Sequence, residues 1–181
     1  MTEKAQPADY RIMPLSEHHC RGVMEIFNFY ITESHAAFPD KPVPQAFFER
    51  FLEMSRGYPA AAIMADDTVA GFGFLRPYHW AETFRRTAEI TYFLRPEHTR
   101  QGLGTTLLNY LCQQAGPHGI EVIVASLSSR NLASRAFHVK NGFEICGILR
   151  RVGKKFGQDF DVVLMQKQIT RSGVDLGKGA A

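Results

Sequence analysis

A glycine-containing turn between a strand-like run and a helix-like run constrains the fold of this chain more than any other feature. The turn spans Thr99–Thr105, behind a strand-like run at 89–94 and ahead of a helix-like run at 104–114. Its two glycines lack Cβ atoms, so consecutive backbone N–H groups can approach an anion. The helix start adds unpaired N–H groups and the positive end of its dipole, and Arg100 adds a positive charge. The sequence therefore predicts a phosphate-binding turn.

Two common phosphate loops do not fit these residues. A P-loop requires a lysine after its last glycine, where this chain has Thr105. A dinucleotide-binding fingerprint requires a third glycine three residues after the second, where Leu107 stands. A glycine-containing helix start that binds no ligand remains an alternative interpretation of the turn.

A length of 181 residues fits one domain, which we place at residues 9–168. The small, polar and glycine-containing ends predict frayed tails at 1–8 and 169–181. Strands alternate with helices and include a hairpin, so the fold class is α+β or mixed α/β, with one sheet and helices on both faces. The predicted strands are 10–13, 60–65, 68–75, 87–94, 120–127, 142–151 and 161–168, and the predicted helices are 20–31, 45–55, 104–114 and 131–140.

Composition excludes several classes of protein. The net charge of +3 is too small for a typical nucleic-acid-binding protein. No apolar run is long enough to cross a bilayer and the first residues do not resemble a secretory signal, so we expect a cytoplasmic protein. Cys20, Cys112 and Cys146 are scattered, and neither they nor the adjacent His18 and His19 have a metal-ligand spacing. We expect no metal, and we expect Cys112 to pack in the core.

The Arg-x-Gly-x-Gly turn resembles the pyrophosphate-binding motif of the GNAT acyltransferases, which bind acetyl-CoA. Residues 131–143 resemble a second GNAT pattern: an Asn, a Ser three residues later, and a helix that ends in Gly-Phe. Gly142 on its own is also typical of a helix C-terminus. The two motifs together imply the GNAT fold, a mostly antiparallel sheet of about six or seven strands with a splayed cofactor cleft.

Within that superfamily the chain resembles the phosphinothricin acetyltransferase group, which includes methionine sulfoximine and methionine sulfone acetyltransferases. Four segments match the group in order: Asn28–Ile31 with Phe38, Arg56–Pro59, Phe84–Glu89 and Lys155–Val162. The resemblance implies an N-acetyltransferase that moves acetyl from acetyl-CoA to the α-amino group of a small amino-acid-like substrate, and a homodimer. Acetylation of a protein N-terminus or an aminoglycoside, and a non-catalytic CoA-binding module, remain alternatives.

Two positions depart from the group's pattern. His98-Thr99 stands where the family commonly has a Gln/His-Arg pair, so one cationic phosphate contact is missing and Arg100 is expected to compensate. The group also tends to place an arginine ahead of its central strand, where it can pair with an anionic substrate. His79 is the nearest position here.

Acetyl transfer to an amine requires a base, because a protonated amine has no lone pair with which to attack. The resemblance implies that Glu89 is this base; a carboxylate that faces solvent or pairs with Arg85 or Arg86 is the alternative. It also implies that His138 is the acid for the leaving thiolate, with a structural histidine as the alternative. A thiol, with a reference pKa of about 8.5, is a fair leaving group even without an acid.

The resemblance also implies the ligand contacts. A backbone N–H of the 92–94 segment would polarise the thioester oxygen, and Asn131 would bond the pantetheine arm. The predicted cofactor contacts are Tyr92, Phe93, Leu94, Arg100, Gln101, Gly102, Leu103, Gly104, Thr105, Asn131, Ser134 and Phe137. The predicted substrate contacts are Phe38, Tyr78, His79, Trp80, Glu89, Ile90 and Thr91, although core packing is an equal interpretation for the aromatic residues.

Overall fold

The computed structural model describes residues 9–169. The predicted tails lie outside these residues apart from Ile169, whose N–H donates to the Glu121 carbonyl at 2.9 Å. The strands are β1 (Tyr10–Pro14), β2 (Ala60–Ala65), β3 (Thr68–Pro77), β4 (Thr87–Leu94), β5 (Val122–Ser128), β6 (Glu144–Lys155) and β7 (Gln158–Gln168). The α-helices are α1 (Cys20–Glu33), α2 (Phe48–Met54), α3 (Leu103–Ala115) and α4 (Leu132–Lys140).

The strands form a seven-stranded sheet in the order β1-β2-β3-β4-β5-β7-β6. Only the β4–β5 pair is parallel, and the other pairs are antiparallel. This confirms the predicted fold class. Several predicted boundaries were wrong. The helix predicted at 45–55 begins with a 3₁₀ turn, Gln45–Phe47, as is common at a helix start. The last hairpin also turns at Phe156–Gly157, so β6 and β7 are longer than predicted.

Helices cover both faces of the sheet, as predicted. Phe72 and Phe74 of β3 pack with α1 and α2 in one apolar cluster, while α3 packs on the opposite face with a second cluster. Gly73 faces α3, where a Cβ would lie 2.8 Å from the Tyr92 Cβ and 3.2 Å from Leu107 Cδ2. The absence of that Cβ allows β4 and α3 to lie close to β3. Within residues 9–169, none of the helices has the length and apolar character needed to cross a membrane.

The centre of the sheet splits at the parallel pair. β4 and β5 pair only over Thr87–Glu89 and Val122–Val124. Beyond that point β4 stays paired with β3 as far as Leu94, and β5 stays paired with β7 as far as Ser128. Each strand is thus held by its outer neighbour while a gap opens between them, which confirms the predicted splay.

Candidate active site

The predicted phosphate-binding turn has its backbone in an unusual conformation. Gly102, the N-cap of α3, has φ 84°, and Arg100 has φ 61°. A Cβ at Gly102 would meet nothing within 4 Å, so the left-handed backbone, and not lack of space, favours glycine here. Gly104 differs, because its Cβ would lie 3.0 Å from the Phe137 ring of α4. The turn thus presents the first N–H groups of α3, which have no partner within the helix.

A cleft of about 820 Å³ runs from this turn through the gap between β4 and β5 to the face covered by α1 and α2. It brings together most of the predicted site residues. Those that line it are Phe38, Glu89, Ile90, Thr91, Tyr92, Phe93, Leu94, Arg100, Gly102, Gly104, Thr105, Asn131, Ser134, Phe137 and His138.

Two predicted cofactor residues do not line the cleft. Gln101 points to β1, where its Oε1 accepts a hydrogen bond from the Tyr10 hydroxyl at 2.7 Å. Leu103 is buried in the core beneath α3. Both side chains therefore support the turn from the side away from the cleft.

Three predicted substrate residues also lie outside the cleft lining. Tyr78, His79 and Trp80 belong to the connection between β3 and β4, and Trp80 is 90% exposed. Tyr78 and His79 pack against Phe84 of the same connection. β3 continues to Pro77, two residues beyond its predicted end, and residues 78–80 follow it.

Glu89 is the last residue of β4 that pairs with β5, so its side chain stands where the gap begins. It lies directly opposite Arg76 of β3 in the register. The Arg76 Nη2 donates to Glu89 Oε2 at 2.8 Å, and the Glu89 side chain is only 18% exposed. Arg85 and Arg86, and not Arg76, were the partners considered from the sequence. This contact depends on the β3–β4 register, which no residue spacing in the sequence indicates.

Glu89 and His138 approach the cleft from opposite faces of the sheet. Alternate side chains of a strand point to opposite faces. Phe93 packs on Phe27 of α1 with ring centroids 5.5 Å apart, whereas Tyr92 packs on Phe137 of α4 at 5.6 Å. Glu89 therefore shares the α1 face with Phe93, while His138 lies on the α3 and α4 face.

His138 is buried, with 1% of its surface exposed, and both of its ring nitrogens are engaged. Nδ1 lies 2.7 Å from the Ser134 carbonyl oxygen, which can only accept, so Nδ1 carries a proton. Nε2 lies 2.8 Å from the Tyr92 hydroxyl and accepts from it. Burial lowers the pKa of His138 and raises the pKa of Tyr92. Both groups are thus neutral at neutral pH.

Asn131 begins α4 and presents its amide to the cleft. Its Oδ1 accepts the Ser134 N–H at 3.1 Å, as an N-cap does. Among residues 9–169, its Nδ2 has no hydrogen-bond partner and remains a donor.

Backbone N–H groups also face the gap. The Thr87 carbonyl and the Arg95 N–H both bond to the β3 side, to Tyr78 N–H and the Ala70 carbonyl. Hydrogen-bonding groups alternate along a strand, so the amides of Tyr92 and of Leu94 point toward β5, which does not pair with them.

The α1 face of the cleft is strongly aromatic, which the sequence analysis did not anticipate beyond Phe38. Phe27, Phe47, Phe51 and Phe74 line it. Phenylalanines at helical spacing in the helices predicted at 20–31 and 45–55 were the available signal. Lys155 of β6 is also buried, and its Nζ donates to the Ala37 carbonyl at 2.6 Å. This contact holds the segment that carries Phe38.

The described residues contain no group of histidine, cysteine or acidic side chains suited to a metal ion. Cys112 packs beside the α3 cluster, and burial raises its pKa. An inert core thiol, as predicted from the helix pattern, fits both observations.

The chain is similar in sequence to known acetyltransferases. Residues 23–143 match the sequence profile of the acetyltransferase (GNAT) family. The chain is 34% identical over 163 residues to the L-methionine sulfoximine/L-methionine sulfone acetyltransferase of Pseudomonas aeruginosa, which covers 83% of this chain and 91% of the relative. It is 31% identical over 154 residues to the L-amino acid N-acyltransferase MnaT of Escherichia coli, covering 83% of this chain and 88% of the relative.

The fold is similar to that of yncA, an acetyltransferase from Salmonella typhimurium solved with its cofactor acetyl-CoA. The TM-score is 0.83 at 28% sequence identity, and the match covers 96% of this chain and 98% of the other. The similarity extends over the sheet, the turn and the cleft together, since almost the whole of both chains is matched.

Proposed function

Since the chain belongs to the acetyltransferase (GNAT) family, we propose that it moves acetyl from acetyl-CoA to the α-amino group of a small amino-acid-like substrate. The observation that carries this proposal is the cleft, which joins the left-handed turn before α3 to the carboxylate of Glu89. The named substrates of the relatives, L-methionine sulfoximine and L-methionine sulfone, indicate the substrate class to test first.

The turn is the proposed site for the diphosphate of acetyl-CoA. Helix-start N–H groups from 102 to 105 supply the donors, and Arg100 supplies a positive charge. The pantetheine arm would enter the gap, where the Asn131 Nδ2 is a donor. A backbone N–H of Tyr92 or Leu94 would then polarise the thioester oxygen.

Glu89 is the proposed base. Its carboxylate accepts a proton from the substrate ammonium, and the freed nitrogen lone pair attacks the thioester carbonyl. The C–N bond forms, the C–S bond breaks, and the electron pair leaves with sulfur, which takes up a proton from solvent. No cysteine is among the described residues that line the cleft, so we propose direct attack in a ternary complex without a thiol relay.

His138 has a proposed role as a positioning residue. A neutral ring whose Nε2 accepts from Tyr92 has no proton to give at that nitrogen. The ring instead holds the Tyr92 side chain, and thereby the β4 backbone, against α4. This leaves the thiolate without a dedicated acid, which its low basicity permits.

We also propose that the protein is a homodimer and lies in the cytoplasm. β6 is an edge strand, and its apolar side chains are unusually exposed: Ile145, Ile148, Leu149 and Val152 are each more than 40% exposed. A second copy of the chain that covers this strand would remove an edge that otherwise favours aggregation. Light scattering coupled to size exclusion tests the mass, and a monomer at micromolar concentration would reject the dimer.

The test of the reaction is a screen of amino-acid analogues with acetyl-CoA, monitored by release of free thiol. We expect turnover with L-methionine sulfone or sulfoximine and little with aminoglycosides or peptides. Calorimetry with acetyl-CoA separates the alternatives. Binding without thiol release for any amine would indicate a non-catalytic CoA-binding module, and absence of binding would reject the proposal altogether.

A further inference from the structure

A positively charged side chain faces the proposed base inside the cleft, and no role has yet been assigned to it. We propose that Arg76 binds the α-carboxylate of the substrate, so that the enzyme selects free α-amino acids over amines that lack this group. The inference rests on the proposed function and specifies the substrate class of the same site.

Arg76 has hydrogen-bond donors that the protein does not use. Its Nη2 donates to Glu89 at 2.8 Å. Its Nη1 lies near only the Met54 sulfur, a weak acceptor, at 3.9 Å. Its Nε is buried without a partner among the described residues. A buried polar atom without a partner costs free energy, so a ligand that accepts from Nε or Nη1 would be favoured here.

The location of Arg76 fits a substrate contact and not a cofactor contact. Along β3, Phe74 and Arg76 point to the same face, which α1 and α2 cover. The other cations of the cleft stand elsewhere: Arg100 is in the turn before α3 and Lys140 is on α4. Arg76 is thus the cation nearest to the proposed base. The arginine that the resemblance led us to expect ahead of β4 is His79 in this chain, and His79 is outside the cleft lining.

The ion pair between Arg76 and Glu89 has the same two charges as an α-amino acid. The ammonium and carboxylate of such a substrate are attached to one carbon, so both can reach this pair together. The ammonium would approach the Glu89 oxygens while the carboxylate accepts from the guanidinium N–H groups that Glu89 leaves free. Each protein charge then keeps a partner of opposite sign, which limits the desolvation cost of binding a zwitterion in a partly buried cleft.

The experiment compares L-methionine sulfone with its α-carboxamide, which keeps the amine and side chain but carries no negative charge. For the unaltered enzyme we expect kcat/KM to be on the order of 10- to 100-fold higher for the acid, the range for hydrogen bonds to a charged group. In Arg76→Gln we expect this ratio to fall close to one, mainly through a higher KM for the acid. Arg76→Lys, which keeps the charge but not the fork, should restore part of the ratio. Arg85→Gln, in the exposed β3–β4 connection, is the matched control and should leave it unchanged.

Two results would overturn the proposal: equal kcat/KM for acid and amide in the unaltered enzyme, or an undiminished ratio in Arg76→Gln. Calorimetric titration of L-methionine sulfone into the CoA-bound protein tests the carboxylate site even if the protein shows no turnover. Affinity that falls about 10-fold or more in Arg76→Gln supports the carboxylate site, whatever becomes of the acetyl transfer. No binding, or equal binding by the two proteins, rejects it. Thermal unfolding of each variant verifies that it is folded.

Discussion

The two halves of the cleft are built in different ways. The half proposed to bind acetyl-CoA, here called the cofactor half, consists mainly of backbone, namely the left-handed turn before α3, the N–H groups of that helix and the unpaired amides of β4. The half proposed to bind the amine, here called the amine half, consists of side chains contributed by distant parts of the chain, among them Arg76, Glu89 and Phe38. A short sequence motif can encode a site made of backbone, whereas a site made of side chains depends on strand register and loop packing. The cofactor half should therefore bind CoA thioesters in general, and the amine half should determine which amine is acetylated.

The sharpest test of this division is Glu89→Gln, because Glu89 stands where the two halves meet. We expect kcat/KM to fall about 10²- to 10⁴-fold through loss of the proton acceptor. Acetyl-CoA affinity, measured by calorimetry, should not change. Glu49→Gln, on the exposed side of α2, is the control. If Glu89→Gln transfers acetyl as fast as the unaltered enzyme between pH 6 and 9, Glu89 is not the base.

The cofactor half can be weakened alone by Gly102→Ala. A non-glycine residue at φ 84° is strained by roughly 1–2 kcal/mol. Relaxation of this strain takes the turn of the free protein out of its binding conformation, so we expect the Kd for acetyl-CoA to rise about 10-fold. The KM for the amine should stay unchanged at saturating acetyl-CoA. Gly116→Ala is the matched control, since Gly116 has φ −54° and an open Cβ position. Equal affinity in both variants would show that the turn does not contact the cofactor.

The amine half can be weakened alone by Lys155→Met. This change removes the hydrogen bond to the Ala37 carbonyl, which positions Phe38. We expect the amine KM to rise about 5-fold, less than for direct loss of a bond from a charged donor, because Lys155 acts on the substrate only through Phe38. Acetyl-CoA affinity should stay unchanged. The exposed neighbour provides the control Lys154→Met. A change in acetyl-CoA affinity of the same size would contradict the separation of the halves.

The smallest effect concerns stability. Burial lowers the pKa of His138 and of His19 in the folded protein, while the unfolded chain takes up their protons near pH 6.5. The unfolded state therefore binds more protons below that pH, and the free energy of unfolding falls as the pH falls. Each histidine contributes at most about 1.4 kcal/mol per pH unit.

Urea unfolding between pH 7.5 and 5.5 measures this slope. We expect His138→Gln to reduce it and the exposed-site variant His118→Gln to leave it unchanged. A slope that is the same in all three proteins would mean that His138 is not held neutral. Since a purely structural change would not alter the pH dependence, this measurement tests the ring environment directly.

The difference between the backbone half and the side-chain half of the cleft also explains which features could be predicted from the sequence. The mostly antiparallel sheet of about seven strands follows from local patterns and the GNAT resemblance, and the turn at Gly102 is a contiguous motif, so both were predicted. The helix-start and α4 residues of the cofactor half entered the cleft as expected, apart from the side chains of Gln101 and Leu103.

The amine half was predicted less well because its residues meet only through tertiary structure. Arg76 lies opposite Glu89 owing to the β3–β4 register, and no residue spacing in the sequence shows that pairing. Trp80, an aromatic residue beside a predicted strand, was assigned to the substrate pocket. β3 is longer than its apolar pattern suggested, and Trp80 lies in the exposed connection that follows it.

Backbone amides at the centre of a wide sheet ordinarily exchange their hydrogens with water only when the domain opens. The gap beyond Glu89 makes Tyr92 and Leu94 an exception, since solvent reaches their N–H groups where β5 has parted from β4. Thr91 and Phe93, which bond to β3, keep their protection. We therefore expect fast and slow deuterium uptake to alternate along this central strand, and a molecule that fills the gap to slow only the fast positions.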